Sequence, residues 1–78
     1  MTPTDYCVVL ITTPEEGLAE RISDLLIEQN LGACVQTTPI SSVYRWSSEV
    51  HRENEILMLV KTRTALIDEL VEQVREMH

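Results

Sequence analysis

Two stretches of this 78-residue chain are apolar at nearly every position, and they restrict the folds open to it more than any other feature. The first is Tyr6–Thr13, and the second spans residues 56–60; both are rich in aliphatic and β-branched side chains. Successive residues of a strand point to opposite faces of a sheet, so a strand that is apolar at consecutive positions needs cover on both faces. The sequence therefore predicts strands that have protein on either side.

An amphipathic helix is predicted directly after the first strand. Thr13 has the character of an N-cap, Pro14 suits the first helical position, and Glu16 completes a capping box. Asn30 and Gly32 tolerate a left-handed backbone, which predicts that the helix ends near residue 29. One side of this helix is acidic, which is typical of a solvated face.

A long hairpin and a second helix follow. The outgoing strand covers 33–46 and is interrupted by Pro39, which cannot donate to a ladder and is expected at a bulge or on an edge. A turn at 47–49 leads into a returning strand over 50–62, after which Thr64 is expected to cap the last helix. The apolar stripe of that helix comprises Leu66, Ile67, Leu70, Val71, Val74 and Met77.

The order strand, helix, strand, strand, helix predicts one α+β domain over residues 1–78 with the ferredoxin-like (split βαβ) fold, its last strand being absent from this chain. The handedness of strand crossovers places both helices on one face of the antiparallel sheet. The other face is left bare. Because an apolar sheet face is seldom left in water, we expect partner subunits to cover it.

The amino-acid composition and the absence of known motifs argue against several functional classes of protein. Thirteen acidic residues against six basic residues give a net charge of −7, so a nucleic-acid surface is not expected. The first residues have neither the basic region nor the long apolar region of a signal peptide, so we do not expect one, and no apolar run reaches the roughly 20 residues that a membrane helix needs. Cys7 and Cys34 lie in apolar runs without metal or redox spacing, which favours buried, reduced thiols in the cytoplasm. No catalytic motif is present, so we do not expect an enzyme.

Three residues with metal-binding side chains lie two apart in the returning strand, namely His51, Glu53 and Glu55. On a strand all three point to the same face, and one imidazole with two carboxylates suits borderline divalent ions. The alternative is a solvated strand end whose charges discourage edge pairing. Softer ligands for copper(I) also exist, although their apolar surroundings favour a core role: Cys7, Cys34, Met58 and Met77.

A second candidate is a polar pocket formed where subunits meet. Four large polar or amphipathic side chains interrupt the apolar strands: Gln36, Tyr44, Trp46 and Lys61. The ammonium group of Lys61 is suited to an anion or a carboxylate. The alternative is that Lys61 pairs with Glu55, or with a carboxylate of another subunit, and only fixes the register of the assembly. Tyr44 and Trp46 are more typical of interface anchors than of stacking platforms.

The sequence resembles the CutA family, the divalent-cation tolerance proteins. The resemblance rests on VVLITTPEE at 8–16, LGACVQ at 31–36, SSVYRW at 41–46 after Ile40, and acidic positions leading into ILMLVKT at 56–62. It implies a ferredoxin-like homotrimer whose long hairpin reaches neighbouring subunits. It also implies that family members continue through a Pro-Tyr pair, a strand and a helix, so this chain is expected to be truncated at its C-terminus.

The same resemblance implies a role in the response to divalent metal ions, with copper as the first candidate. Some relatives bring a cysteine of the first strand together with histidines at the end of the last helix. Here Ile11 takes the strand position, and His78 is the imidazole at the helix end. The alternative is a regulatory or structural trimer, similar to the PII signalling proteins, that binds a small effector or a protein partner in the clefts between subunits.

Overall fold

The computed structural model describes residues 5–78, which form a three-stranded sheet and two α-helices. A short 3₁₀ turn, Thr64–Leu66, precedes the second helix. In chain order the elements are β1 (Tyr6–Thr13), α1 (Glu16–Glu28), β2 (Cys34–Trp46), β3 (Glu49–Arg63) and α2 (Ile67–Met77). This is the predicted order, and the bounds of β1 are those expected from its apolar run.

The sheet has the strand order β1-β3-β2, and both pairings are antiparallel. Central β3 carries the apolar run at 56–60 and is hydrogen-bonded to a strand on each side. Pro39 lies opposite Ile56, and the register of β2 against β3 is unbroken from Cys34 to Trp46. Pro39 was expected either at a bulge or on an edge strand. It lies on an edge strand, and there is no bulge in the pairing of β2 with β3.

The hairpin turn is tighter than predicted. Only Ser47 and Ser48 separate the strands, and both have positive φ angles, 50° and 67°. Two successive left-handed residues are the conformation of a type I′ turn, whose twist matches that of the flanking strands. Glu49, which was expected in the turn, is already the first residue of β3 and lies opposite Trp46.

The starts of both helices differ from the prediction. Thr13 does not cap α1: it is the last residue of β1, lies opposite Ile56, and donates its hydroxyl to the Glu15 carbonyl oxygen at 3.0 Å. The helix begins at Glu16 because strand pairing holds the backbone extended through Thr13. Thr64 likewise lies in the 3₁₀ turn, three residues before α2 begins at Ile67.

Both helices pack on one face of the sheet, as predicted. Their contact with the sheet forms the hydrophobic core, in which Met58 is completely buried and has the core role expected of it. The buried apolar residues come from both helices, from β3 and from the loop after α1: Ala19, Ile22, Leu26, Leu31, Met58, Val60 and Leu70.

The two thiols are free but not buried. Both are partly exposed, because each lies near the start of an edge strand where little structure covers it. Cys7 lies opposite Thr62 and Cys34 opposite Lys61, which are neighbours on β3. The two thiols therefore point to opposite faces of the sheet. The prediction of free thiols is confirmed, and the prediction that they are buried was wrong.

The face of the sheet opposite the helices is uncovered in the single chain; we call it the open face. On β1 it carries Val8 and Leu10, which are 53% and 64% exposed. This bare apolar face was predicted from the strand patterns. Within residues 5–78, no helix is long and apolar enough to cross a membrane.

Candidate functional site

The strand register places every predicted strand residue of the two candidate sites on the open face. Residues directly opposite each other in an antiparallel pair point to the same face, and alternate residues along a strand share that face. Gln36 lies opposite Leu59, and Tyr44 lies opposite His51. Counting in steps of two from these pairs assigns each candidate residue to a face of the sheet. The members on the open face are Gln36, Tyr44, Trp46, His51, Glu53, Glu55 and Lys61.

The far part of the hairpin, residues 40–55, forms an arm with opposite charges on its two faces. Its open face carries three carboxylates, and its other face, which we call the reverse face, carries Arg45 and Arg52. Among residues 5–78, neither arginine has a carboxylate within ion-pair distance. Both faces also expose large apolar side chains, with Trp46 67% and Val50 58% exposed. The arm thus has two chemically distinct contact surfaces.

A cluster of four side chains lies on the open face near the turn. The rings of Tyr44 and His51 stack, and the Tyr44 hydroxyl donates to Oε1 of Glu53 at 2.8 Å. This hydrogen bond to a carboxylate raises the pKa of Tyr44 above its usual value, and partial desolvation and the charges of Glu53 and Glu55 add to the effect. Glu53 is therefore already engaged by a hydroxyl group within the chain.

The imidazole of His51 faces Glu49, a carboxylate that the sequence interpretation did not include. Its Nε2 lies 3.7 Å from Oε2 of Glu49, is itself shielded from solvent, and has no hydrogen-bond partner among the described residues. Glu49 precedes His51 by two residues, so the alternation used for Glu53 could have identified it. In the part of the chain that the structure describes, no three His, Cys, Asp or Glu side chains form a metal-binding group.

The second predicted metal position lies elsewhere in the fold. His78 follows the end of α2, and its Nε2 is 3.1 Å from the carbonyl oxygen of Thr12. Thr12 lies opposite Leu57 in β3. Leu57 is six residues from His51 along the same strand, a distance of about 20 Å at about 3.3 Å per residue. The helix end is thus next to Ile11 and Thr12, as the resemblance implied, and far from the arm.

The four predicted pocket residues do not meet within one chain. Lys61 and Gln36 lie at the core end of the open face, whereas Tyr44 and Trp46 lie near the turn. Lys61 does not pair with Glu55 of its own chain, which was one form of the alternative, because six residues of extended strand, about 20 Å, separate them. The cross-strand neighbours of Lys61 are Val8 and Cys34.

Lys61 borders a hollow of about 400 Å³ at the end of the open face where β1 begins. It lies between the start of β1, the end of β3 and the residue before β2. Its lining is mostly apolar, with two cationic side chains, and comprises Tyr6, Cys7, Val8, Ala33, Lys61, Thr62 and Arg63. Tyr6 and Arg63 were not singled out from the sequence, since only the pairing of Tyr6 with Arg63 across β1 and β3 brings them to this place.

The chain matches one known protein family over nearly its whole length. A family model described as CutA1 divalent ion tolerance protein matches residues 7–78. The chain belongs to the CutA1 family. A divalent-cation tolerance protein CutA from Thermus thermophilus is 46% identical over 72 residues, which are 91% of this chain and 70% of that protein. The mouse protein CutA is 35% identical over 77 residues. The match covers 97% of this chain but only 44% of the mouse protein.

Solved structures of CutA1 family members confirm the ferredoxin-like α+β fold. The Thermus thermophilus structure has a TM-score of 0.89 and 44% identity, covering 94% of this chain and 72% of that one. CutA from Synechococcus elongatus has a TM-score of 0.93 and 33% identity, covering all of this chain and 70% of that one. The resemblance to the divalent-cation tolerance proteins is therefore confirmed for sequence and for fold.

Proposed function

We propose that this CutA1-family chain is the subunit of a homotrimer that acts in the response to divalent metal ions, as a cytoplasmic binding protein and not as an enzyme. The uncovered open face supports an assembly, since Val8 and Leu10 are more than half exposed on a strand whose neighbour β3 is apolar. The family resemblance implies three copies. A copy of this chain is the occupant that we propose for the open face from Leu10 to the arm, which leaves the hollow at the start of β1 at the edge of that contact.

The charges on the arm support a ring and argue against a two-fold dimer. In an isologous dimer a patch meets itself, which would bring the carboxylates of the open face, or Arg45 and Arg52, together. In a head-to-tail assembly the acidic face of one arm meets the basic reverse face of a neighbour. Heterologous contacts form a ring when the rotation between copies closes, and in such a ring the two arginines gain the carboxylate partners that they lack in the single chain.

We propose the arm as the place where the divalent ion binds. The observation that carries this is the pair of His51 Nε2 and Glu49 Oε2, 3.7 Å apart, with no hydrogen-bond partner for the nitrogen within residues 5–78. Two ligands at about 2.0–2.1 Å from a tetrahedral ion are about 3.4 Å apart, so the pair needs little movement to bind one. An imidazole and a carboxylate suit Zn²⁺ or Cu²⁺. Further ligands would come from water, from Glu53, or from a neighbouring copy.

The helix end is the competing position for copper. There the imidazole of His78 contacts the Thr12 carbonyl oxygen, and neighbouring Ile11 offers no thiolate. A lone imidazole beside a carbonyl oxygen is a weaker ligand set for copper than the imidazole and carboxylate of the arm. We therefore assign the ion to the arm.

Calorimetric titration of the assembled protein with CuCl₂ and ZnCl₂ tests this assignment. His51→Ala and Glu49→Gln should each weaken binding at least tenfold, and His78→Ala, which removes the other of the two imidazoles in the chain, should not change it. Glu20→Gln on α1 is the control for removing one negative charge. Loss of binding in His78→Ala alone would move the site to the helix end, and unchanged binding in all variants would reject both positions.

A second candidate function is that of a PII-like trimer that binds a small effector. The hollow beside Lys61 favours it, because it is an open cavity on the face that the assembly would enclose. The Synechococcus elongatus protein has been solved in complex with a Bis-Tris molecule, at 33% identity to this chain. Titration of the assembled protein with Bis-Tris tests whether small molecules bind in the hollow. The titration is monitored by NMR through the backbone amide signals of Val8 and Ala33.

A further inference from the structure

We propose that the hollow at the start of β1 binds small amphipathic carboxylates, with Lys61 and Arg63 holding the carboxylate group. This deepens the second candidate function and rests on it, since it names the class of effector. The carboxylate lies between the two cationic side chains, and the apolar part of the ligand lies against Tyr6, Val8 and Ala33.

Two cationic groups converge on this hollow, and neither has a carboxylate partner among residues 5–78. Lys61 and Arg63 are two residues apart on β3 and point to the same face, about 7 Å apart along the strand. Neither forms an ion pair with any residue between 5 and 78, although the chain has thirteen acidic residues. A local pair of positive charges in a chain of net charge −7 is suited to attract an anion at short range.

The Arg63 side chain is held in position by an aromatic ring. Its guanidinium carbon lies 5.9 Å from the centroid of the Tyr6 ring, within the range of a cation–π contact. Asp5 borders the same arginine in a neighbouring hollow and not in this one. A guanidinium that is already oriented loses less freedom when it binds a ligand than a freely moving one does.

The remaining surface of the hollow is apolar and large enough for an organic molecule. Val8 and Tyr6 are 53% and 49% exposed, and Ala33 closes the side towards β2. A volume of about 400 Å³ lies in the range of about 300–1,000 Å³ that is usual for small-molecule sites. The occupant should therefore have an apolar body as well as a charged group.

The chemistry of the lining favours a carboxylate over a phosphate. No residue of α1 or α2 lines the hollow, so no α-helix N-terminus is available for a phosphate. There is also no glycine-rich loop, since Gly17 and Gly32 are the two glycines of the chain and neither lines it. One guanidinium fork with one ammonium group matches a single carboxylate, which Arg can bind through two parallel hydrogen bonds.

The test uses ¹⁵N-labelled assembled protein, with 2-naphthoate as the probe and uncharged 2-naphthylmethanol as its matched control. We expect 2-naphthoate to shift the amide signals of Tyr6, Val8 and Ala33 saturably. The apparent Kd should rise at least tenfold in Lys61→Met, which keeps the apolar stem. It should stay unchanged in Arg75→Met, which removes one exposed cation in the last turn of α2, outside the hollow. Arg63→Met is a second variant in case Lys61→Met fails to fold.

Several outcomes would overturn the proposal. Equal binding of 2-naphthylmethanol would show a purely apolar surface, and an unchanged Kd in both Lys61→Met and Arg63→Met would remove the charge recognition. If Bis-Tris shifts these amides and 2-naphthoate does not, the carboxylate class is wrong and effector binding stands. If neither ligand shifts these amide signals in the assembled protein, the hollow is not open to small molecules. Both the proposed carboxylate ligand and the proposed effector function are then wrong.

Discussion

The aromatic rings of Tyr44 and His51 stack across β2 and β3, with centroids 5.5 Å apart and planes inclined by 17°. The two residues lie directly opposite each other in the register, in a part of the hairpin that no helix covers. Cross-strand pairs are the main source of stability in such a two-stranded segment. The contact also orients His51 so that its Nε2 faces Glu49, which links the order of the arm to the proposed metal position.

The titration of Tyr44 should report on the carboxylates of the arm. Its hydrogen bond to Glu53 favours the neutral phenol, so its pKa is raised above the ordinary value of about 10. Stability from this contact is complete below pH 10 and is lost as the pH rises through the raised pKa. Absorbance at 295 nm should show the late-titrating tyrosine, and Glu53→Gln should lower its pKa.

Two variants serve as controls for that titration. Glu55→Gln removes a charge that contributes less to the shift, so its effect should be smaller than that of Glu53→Gln. His51→Phe keeps an aromatic ring opposite Tyr44 and should preserve the stacking. A Tyr44 pKa that does not respond to Glu53→Gln would contradict the assigned cause.

The buried hydroxyl of Thr62 should be important for stability. It donates to the Leu31 carbonyl oxygen at 2.6 Å, and Thr62 is only 4% exposed. Thr62→Val leaves that buried carbonyl without its donor and should lower the free energy of unfolding by about 1–3 kcal/mol. Urea denaturation measures the loss. Thr62→Ser keeps the hydroxyl and should recover most of the hydrogen-bond contribution, so equal losses in both variants would assign the effect to packing.

The two glycines should respond differently to alanine. A Cβ at Gly17, in the first turn of α1, would meet only the ends of two flexible side chains at 3.6 Å. Gly17→Ala should therefore stabilise the protein, by about 0.5 kcal/mol, through the helix propensity of alanine. A Cβ at Gly32 would lie 3.1 Å from Cγ1 of buried Val60, so Gly32→Ala should destabilise it. Thermal unfolding of the two variants should shift Tm in opposite directions.

Core and open-face substitutions should separate folding from assembly. Met58 is fully buried, so Met58→Ala should cost about 2–5 kcal/mol of unfolding free energy. Leu10 is 64% exposed in the single chain, so Leu10→Asp should disturb the fold of one chain little but should dissociate the proposed trimer. Light scattering measures the mass, and circular dichroism checks the fold. A trimer that survives Leu10→Asp would exclude the β1 end of the open face from the interface.

Local patterns in the sequence determined most of the architecture. The apolar run Tyr6–Thr13, the alternation in the hairpin and the apolar stripes of the helices predicted each element, because burial follows a period of 2 in strands and 3.6 in helices. The same alternation correctly assigned His51, Glu53 and Glu55 to one face. The errors fell at element ends, as at Thr13, where pairing with β3 outweighed a local capping signal.

Only the tertiary structure decided which of these residues meet. The register of β3 between its two neighbours separates Lys61 from Tyr44 and Glu55, and it brings Lys61 and Arg63 to the hollow with Tyr6, more than fifty positions earlier in the chain. It also shows Glu49, and not Glu53, nearest to Nε2 of His51. Periodicity along the sequence determines which face a side chain lies on, but contacts between strands depend on how a whole sheet pairs. The two-residue turn at Ser47 and Ser48 fixes the register of β2 against β3, whereas the register of β1 against β3 depends on which of their apolar residues are buried against the helices.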